Sequence, residues 1–320
     1  MQKNHVIMLA ISLAMILSFS NCNDFIYDDL SDCPQGVNFQ FYRQTPCEQS
    51  PYYPSDIKQV RVFAFAQNGI LVEEFSAGNI VLSSDYLLET PFYKIGTFTF
   101  VAWGGDDLSG YNFSAFEQGR TTKQEMIVSL KRAASQATNK PKQLYVGESG
   151  PLTIEDRTNL GSIFDLVSFN MQELTNRLNF KIQGLSVNDE YKITLTDNNS
   201  KYDFNGDFVA DNRFEYITDV RKEGDVLRAD YITMKLAEGR DTWFTITNTT
   251  TGKVVYDVNL VDDLLLYKGQ FGEPPYNLAC DHDFNIIIVF APDEDNPETY
   301  VLWQVIVNDW NVVKREVIFP

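Results

Sequence analysis

Thiol and imidazole groups are where chemistry would start in this chain. It has four cysteines, Cys22, Cys33, Cys47 and Cys280, and two histidines in 320 residues. Cys280 sits in the run Cys280-Asp281-His282-Asp283, where a thiol two residues from an imidazole suggests a nucleophile with its base. Along a strand, however, successive side chains point to opposite faces, and residues two apart share a face without being aimed at one another. A turn leading into the apolar stretch Phe284–Phe290 accounts for the run more simply. Gly147-Glu148-Ser149-Gly150 has the small residues of a nucleophile elbow but neither the GxSxG spacing nor a strand-to-helix setting. It reads as a loop.

Oxygen ligands are the other candidate chemistry. Asp197–Asp207 (DNNSKYDFNGD) is rich in them, yet placing Gly206 sixth in a calcium loop puts Lys201 first and Asn212 twelfth. Those residues fail the EF-hand pattern. Asp293-Glu294-Asp295, between Pro292 and Pro297, reads as an exposed turn. Either offers at most a weak structural ion. Carboxylates are numerous enough for a glycosidase pair, but no spacing singles out two. There is no Cys-x-x-Cys, and one histidine beyond the first 21 residues does not support zinc. The reading is of a non-enzyme, with no catalytic residue, cofactor or metal site to name.

Cys22 has a different chemistry, set by what precedes it. A short basic start containing Lys3 leads into Val6–Leu17 (VIMLAISLAMIL), shorter than the roughly 20 apolar residues a spanning helix needs. A removed export signal fits. Its end, Ser18-Phe19-Ser20-Asn21-Cys22, resembles a bacterial lipoprotein signal, in which Cys22 becomes the acylated N-terminus. Phe19 stands where leucine is usual, and Asn21 is larger than the usual small residue. Each buried acyl CH₂ contributes about 0.8 kcal/mol, so several chains anchor stably where one binds marginally. Asp24, Asp28 and Asp29 then form a solvated spacer. The expected layout is a signal over 1–21, a lipidated acidic tether over 22–34, and a folded body from 35.

Without the first 21 residues, 25 basic side chains face 44 acidic ones, a formal charge of −19. Such a body repels nucleic acid and anionic lipid headgroups, so neither is an expected ligand. Acidity serves solubility outside the cell. The remaining length suits two ordinary domains. With Cys22 acylated, three thiols are left, and exported proteins use disulfides. Cys33 with Cys47, closing a loop of thirteen residues, is the expected pair. Cys280 with either stays open, because pairing is not written in spacing.

The elements that position these residues are almost all strands. Val37–Tyr42 (VNFQFY) alternates apolar and polar residues, as a half-buried strand does. Lys58–Ala66 and Ile70–Phe75 flank Asn68-Gly69, the strongest short hairpin signal because both turn residues tolerate positive φ. Tyr93–Trp103 makes a third long run. Thr121–Ala137 has helix-forming residues and a capping threonine, but Met126, Val128 and Leu130 alternate, and a strand followed by a loop is preferred. A boundary is expected near residue 160, giving domains over 35–160 and 161–320. Beyond it, Ile163–Met171, Arg177–Leu185, Tyr191–Thr196, Leu227–Leu236, Trp243–Thr247, Val254–Asn259 and the apolar Phe284–Phe290 read as strands. Tyr300–Asn308 and Asn311–Phe319 form a last pair across Asp309-Trp310. Many short strands separated by turns indicate an all-β protein of sandwiches.

Three stretches carry a resemblance. Cys22 with Tyr27-Asp28-Asp29-Leu30-Ser31-Asp32-Cys33-Pro34 and the strand Val37–Tyr42 resemble the start of the fimbrial anchor lipoproteins of Bacteroidales. Asn170–Gly184 (NMQELTNRLNFKIQG) is similar to the beginning of that family's second domain, and Ile306–Phe319 (IVNDWNVVKREVIF) to its terminal hairpin. The resemblance implies two tandem transthyretin-like (Greek-key) β-sandwich domains. It also implies a basal subunit of a type V pilus that holds the fibre to the outer membrane and limits its length. Stalk pilins and accessory fimbrial subunits would be its partners, and the surface-exposed outer membrane its location. The alternative is a free-standing surface lipoprotein that binds glycan or a host protein, for which an exposed Trp103, Trp243, Trp303 or Trp310 would speak.

Overall fold

The computed structural model describes residues 33–158, 160–268, 272–293 and 299–314. Cys22, the 1–21 signal and nearly all of the expected tether lie outside the described residues. Among the described residues the chain is almost wholly β.

Alternation works as expected in the strand Gln35–Tyr42, which buries Val37, Phe39 and Phe41 and turns Asn38 and Gln40 outward. It pairs antiparallel with Leu88–Pro91 and parallel with Ile163–Asn170. A six-stranded sheet packs against this three-stranded one. It runs in the order Gln172–Glu173, Leu144–Glu148, Gly96–Gly105, Gln59–Ala66, Leu71–Gly78, with Leu152–Ile154 also on Gly96–Gly105. The Asn68-Gly69 turn joins two of these strands, with Gly69 at φ 78°, where a side chain would be strained. Between the two sheets lies a phenylalanine-rich core that includes Phe39, Phe92, Phe98, Phe100 and Phe169. Phe92 meets Phe98 edge to face at 4.9 Å.

The six-stranded sheet is covered on both faces. Val60, Val62 and Ala64 enter the phenylalanine core, whereas Phe63 and Phe65 on the same strand enter a second, larger core. Gly96–Gly105 divides likewise, with Phe100 and Ala102 on one side and Val101 and Trp103 on the other. A strand buried on both faces reads as a nearly continuous apolar run, hence VRVFAFA.

The second half supplies the rest of the larger core. One sheet runs Val220–Glu223, Val226–Met234, Thr175–Gln183, Asp283–Pro292, Tyr300–Val307, Trp310–Lys314. The apolar Phe284–Phe290 stretch is thus central, as its composition required. The facing sheet holds Val254–Asn259, Trp243–Asn248, Tyr191–Asp197 and Phe214–Glu215. Phe180 stacks on Phe244 across them at 4.1 Å. Leu260–Leu265 forms a single turn of π-helix that buries four apolar side chains, and Asn259 caps it by accepting from the Val261 and Asp262 amides. The last hairpin turns one residue earlier than expected, at Asn308-Asp309, both with positive φ.

Two expectations about organisation need correction. The strand Ile163–Asn170, assigned to a second domain by a boundary at 160, instead completes the first three-stranded sheet, and Gln172–Glu173 pairs with Leu144–Glu148. The chain crosses over after Glu173. The polar run after Ile154 suggested the boundary, but the chain there only passes from Leu152–Ile154 in one sheet to Ile163–Asn170 in the other. The halves also trade elements. Val128–Leu130, a strand as preferred, pairs with Lys201–Tyr202, and Gln136–Ala137 pairs with Phe214–Glu215. Asp211, its side chain fully buried, locks this exchange by taking Arg132 at 2.8 Å and Lys201 at 3.2 Å.

Candidate functional site

A cleft of about 880 Å³ lies where the halves meet. Its first-half wall is the turn after Gln35–Tyr42, from Arg43 to Pro46, with Asn170–Glu173 beside it. The second half contributes Lys235–Glu238, Tyr276–Ala279 and His282. Local hydrogen bonds shape each wall. Arg43 and Tyr52 exchange backbone hydrogen bonds at 2.8 and 2.9 Å, closing the turn. The Asn170 side chain bridges the Gln44 amide and carbonyl, both at 2.9 Å.

A disulfide staples the walls together. Cys47 on the first-half turn bonds Cys280, 233 positions away, with the Cα atoms 6.0 Å apart. This overturns the expected Cys33–Cys47 pair. Cys33 precedes the eight-residue strand Gln35–Tyr42, about 26 Å long, and Cys47 lies beyond its far end in the turn that meets Cys280. Cys33 is buried. Because the Cys280 sulfur is committed to Cys47, it is not the thiolate that a Cys/His pair would need. The run Cys280–Asp283 is the turn into Asp283–Pro292.

Charged groups in and beside the cleft are tied to one another. Buried Glu173 accepts from Thr175 Oγ1 at 3.0 Å and from Arg177 Nη1 at 2.5 Å. Arg177 also grips Asp283 through Nε at 2.5 Å and Nη2 at 2.9 Å, holding that carboxyl below the usual range. His282 lies buried with Nδ1 3.1 Å from the Thr175 carbonyl, and burial lowers its pKa despite the pull of Glu173. The Tyr145 hydroxyl donates to Asp56 at 2.9 Å. Arg43 pairs with Glu48 at 3.3 Å. Two buried polar atoms here, Arg43 Nε and the Tyr276 hydroxyl, have no hydrogen-bond partner among the described residues. The arrangement is a cleft between stapled walls, with Met171, Leu236 and Leu278 among its lining. It offers no activated nucleophile.

The other candidates are dispersed. Ser149 accepts from the Phe100 amide and donates to the Gly150 carbonyl, as a loop residue does. In Asp197–Asp207, Asp203 accepts from the Asn205 and Asp207 amides, a local turn, while Asp197 is buried on Thr242. Among the described residues no three His, Cys, Asp or Glu side chains gather as a metal ion requires. Trp103 is fully buried with Nε1 on the Met126 sulfur, and Trp243 is half-buried with Nε1 on Asp241. Trp303 and Trp310 are also half-buried, so none of the four stands out as an aromatic platform.

Set against known proteins, residues 30–316 match the family model described as Fimbrillin-A associated anchor proteins Mfa1 and Mfa2. The chain belongs to that family. A curated relative, the minor fimbrium anchoring subunit Mfa2 of Porphyromonas gingivalis, is 30% identical over 315 residues, 97% of this chain and 96% of the relative. The solved structure of the fimbrial anchor protein Mfa2 from the same organism has a TM-score of 0.76 at 29% identity, covering 88% of this chain and all of that one. A Bacteroides thetaiotaomicron structure shares the fold at a TM-score of 0.70 and 22% identity. The family is one of structural anchor proteins and not of enzymes.

Within this anchor-family chain, the residues that shape the cleft were not visible beforehand. Arg177 and Asp283 are 106 positions apart, and Cys47 and Cys280 are 233 apart. No local pattern ties such pairs. With Cys22 set aside, three thiols remain, and nothing in the sequence singled out Cys47 with Cys280.

Proposed function

We propose that the protein is the basal, membrane-tethered subunit of a fimbria. In this reading Cys22 carries the acyl chains, the 22–34 segment is the spacer, and the body stands on the outer face of the outer membrane. Stalk pilins, with accessory fimbrial subunits, dock on it, and its presence ends growth of the fibre and so limits its length. The observation that carries the proposal is family membership across nearly the whole chain, joined to a fold that matches a fimbrial anchor over the full length of that relative. The stapled, cross-braced halves support it physically. A subunit that holds a fibre under load gains from having no weak joint between its halves, and here the joint is closed by a shared core, a disulfide and ion pairs.

Deleting the gene and imaging fibres on cells and in the medium tests the role. Longer fibres shed into the medium are expected, while unchanged length and retention would sink the reading. Cys22→Ala is expected to abolish acyl labelling and release the protein from the membrane fraction. Persistent labelling would place the lipid elsewhere.

A further inference from the structure

We propose that the end of the first half where the chain emerges from its tether is a membrane-contacting face. It carries an apolar patch that lies on the lipid surface. The inference rests on the reading of Cys22 as the acylated residue, and it adds how the body is oriented on that anchor.

Several segments converge on the start of Gln35–Tyr42. Gln35 Nε2 donates to the carbonyls of Arg157 and Gly161 at 2.8 and 2.9 Å, and the Phe92 amide donates to the Gln35 carbonyl at 3.1 Å. Gly36 lies opposite Pro91 on one side and Phe164 on the other. A Cβ on Gly36 would meet the Phe164 ring at 3.0 Å, so that ring covers the glycine. From these segments Tyr93, Ile95, Leu160 and Leu166 project, each 59–66% exposed. They are four of the eleven exposed large apolar side chains among the described residues. Single exposed apolar residues are ordinary, but four on segments that converge at one end of a sheet suit an interaction surface.

The occupant follows from where the chain goes. Cys33 is eleven positions after Cys22, a span of at most about 40 Å even when fully extended. The chain therefore enters the body at the end of the sheet that carries Gln35, within that reach of the residue read as acylated. The basic residues nearby are neutralised, Lys94 by Glu73 at 3.6 Å and Arg157 by Asp165. Exposed Glu155 and Asp156 stand at the rim. The contact is thus apolar and shallow, about 5–10 Å into the headgroup boundary, with the tyrosine at the depth where an apolar ring with a polar tip is favoured.

The test uses the mature chain, residues 22–320, with an N-terminal histidine tag in place of acyl groups. It is held on phosphatidylethanolamine vesicles containing a nickel-chelating lipid and bromine-labelled acyl chains. Tyr93→Trp reports on the patch, and Val254→Trp, exposed on a strand of the second half, reports on that half. The expected result is that the extra emission of Tyr93→Trp falls by half or more on the vesicles while that of Val254→Trp is unchanged. Adding Ile95→Asp and Leu166→Asp is expected to abolish the difference, with an unchanged melting midpoint in solution showing that the fold survives. Equal quenching at both reporters, or none at Tyr93→Trp, overturns the proposal. Because the tag replaces the lipid, this outcome is separate from acyl labelling at Cys22, whose failure would strike the tether alone.

Discussion

The two faces of the six-stranded sheet have different fates. One closes on a phenylalanine core made entirely by the first half. The other, through Phe63, Phe65, Val101 and Trp103, closes on the second half and has no core of its own without it. A face that depends on its neighbour makes the two halves one mechanical and thermodynamic unit, because exposing the seam would expose both partners' apolar surface at once. The difference teaches that a second core, and not a linker, joins the domains of this protein.

The sharpest way to break that comparison is to hollow the shared core. Trp103→Ala is expected to cost about 3–5 kcal/mol and to lower the melting of both halves together. Phe100→Ala, one turn of alternation away on the phenylalanine face, is expected to cost about as much while leaving the seam intact. Two calorimetric transitions in Trp103→Ala that leave the second half at its original midpoint would show the halves to be independent. Next in size is the staple. Cys47→Ser together with Cys280→Ser removes a constraint on a very long loop and is expected to cost about 2–5 kcal/mol, read by urea denaturation. No change in midpoint would mean that the shared core alone fixes the seam.

Proton linkage sharpens the contrast further, because two buried groups respond in opposite directions. Burial pushes the Asp197 carboxyl up to about 6 from 3.8. The folded chain then holds the extra proton, so this group's stabilisation is present below about pH 4 and is lost as pH rises through about 6. The difference is on the order of 2–3 kcal/mol. His282 has its pKa lowered by burial, so its contribution is present above the unfolded value of about 6.5 and fades as pH falls. Asp197→Asn is expected to flatten the pH dependence of the urea midpoint between pH 4 and 6; an unchanged slope would remove Asp197 from the account. The smallest effect belongs to the tether end. Leu166→Asp, on an exposed position, is expected to change stability by no more than about 0.5 kcal/mol, and a larger loss would show that the patch packs within the fold.

Much of the fold could be read in advance where the signal was local. The alternation in VNFQFY, the Asn68-Gly69 turn with its positive φ, and the all-apolar FNIIIVF each report on a residue's own surroundings, and each forms the element expected. The alternation of Met126, Val128 and Leu130 outweighed the helix-forming residues around them, because their burial decides the matter. The cleft was not legible. Its staple, its Glu173–Arg177–Asp283 clamp and its crossover after Glu173 all depend on which strand ends come to lie side by side. Leu260–Leu265 was missed for a related reason: one helical turn is too short to show a period, and what holds it is the core beneath.

By itself the sequence determined the class of the protein: an acidic chain built of strands throughout. Those properties follow from composition and short-range period, which act whatever the rest of the chain does. Tertiary structure alone decided that Cys47 meets Cys280, that Ile163–Asn170 returns to the first sheet, and that the two halves share a core. Each is a contact between residues far apart in sequence, chosen by the burial of apolar faces across the whole chain and not by any residue's immediate neighbours.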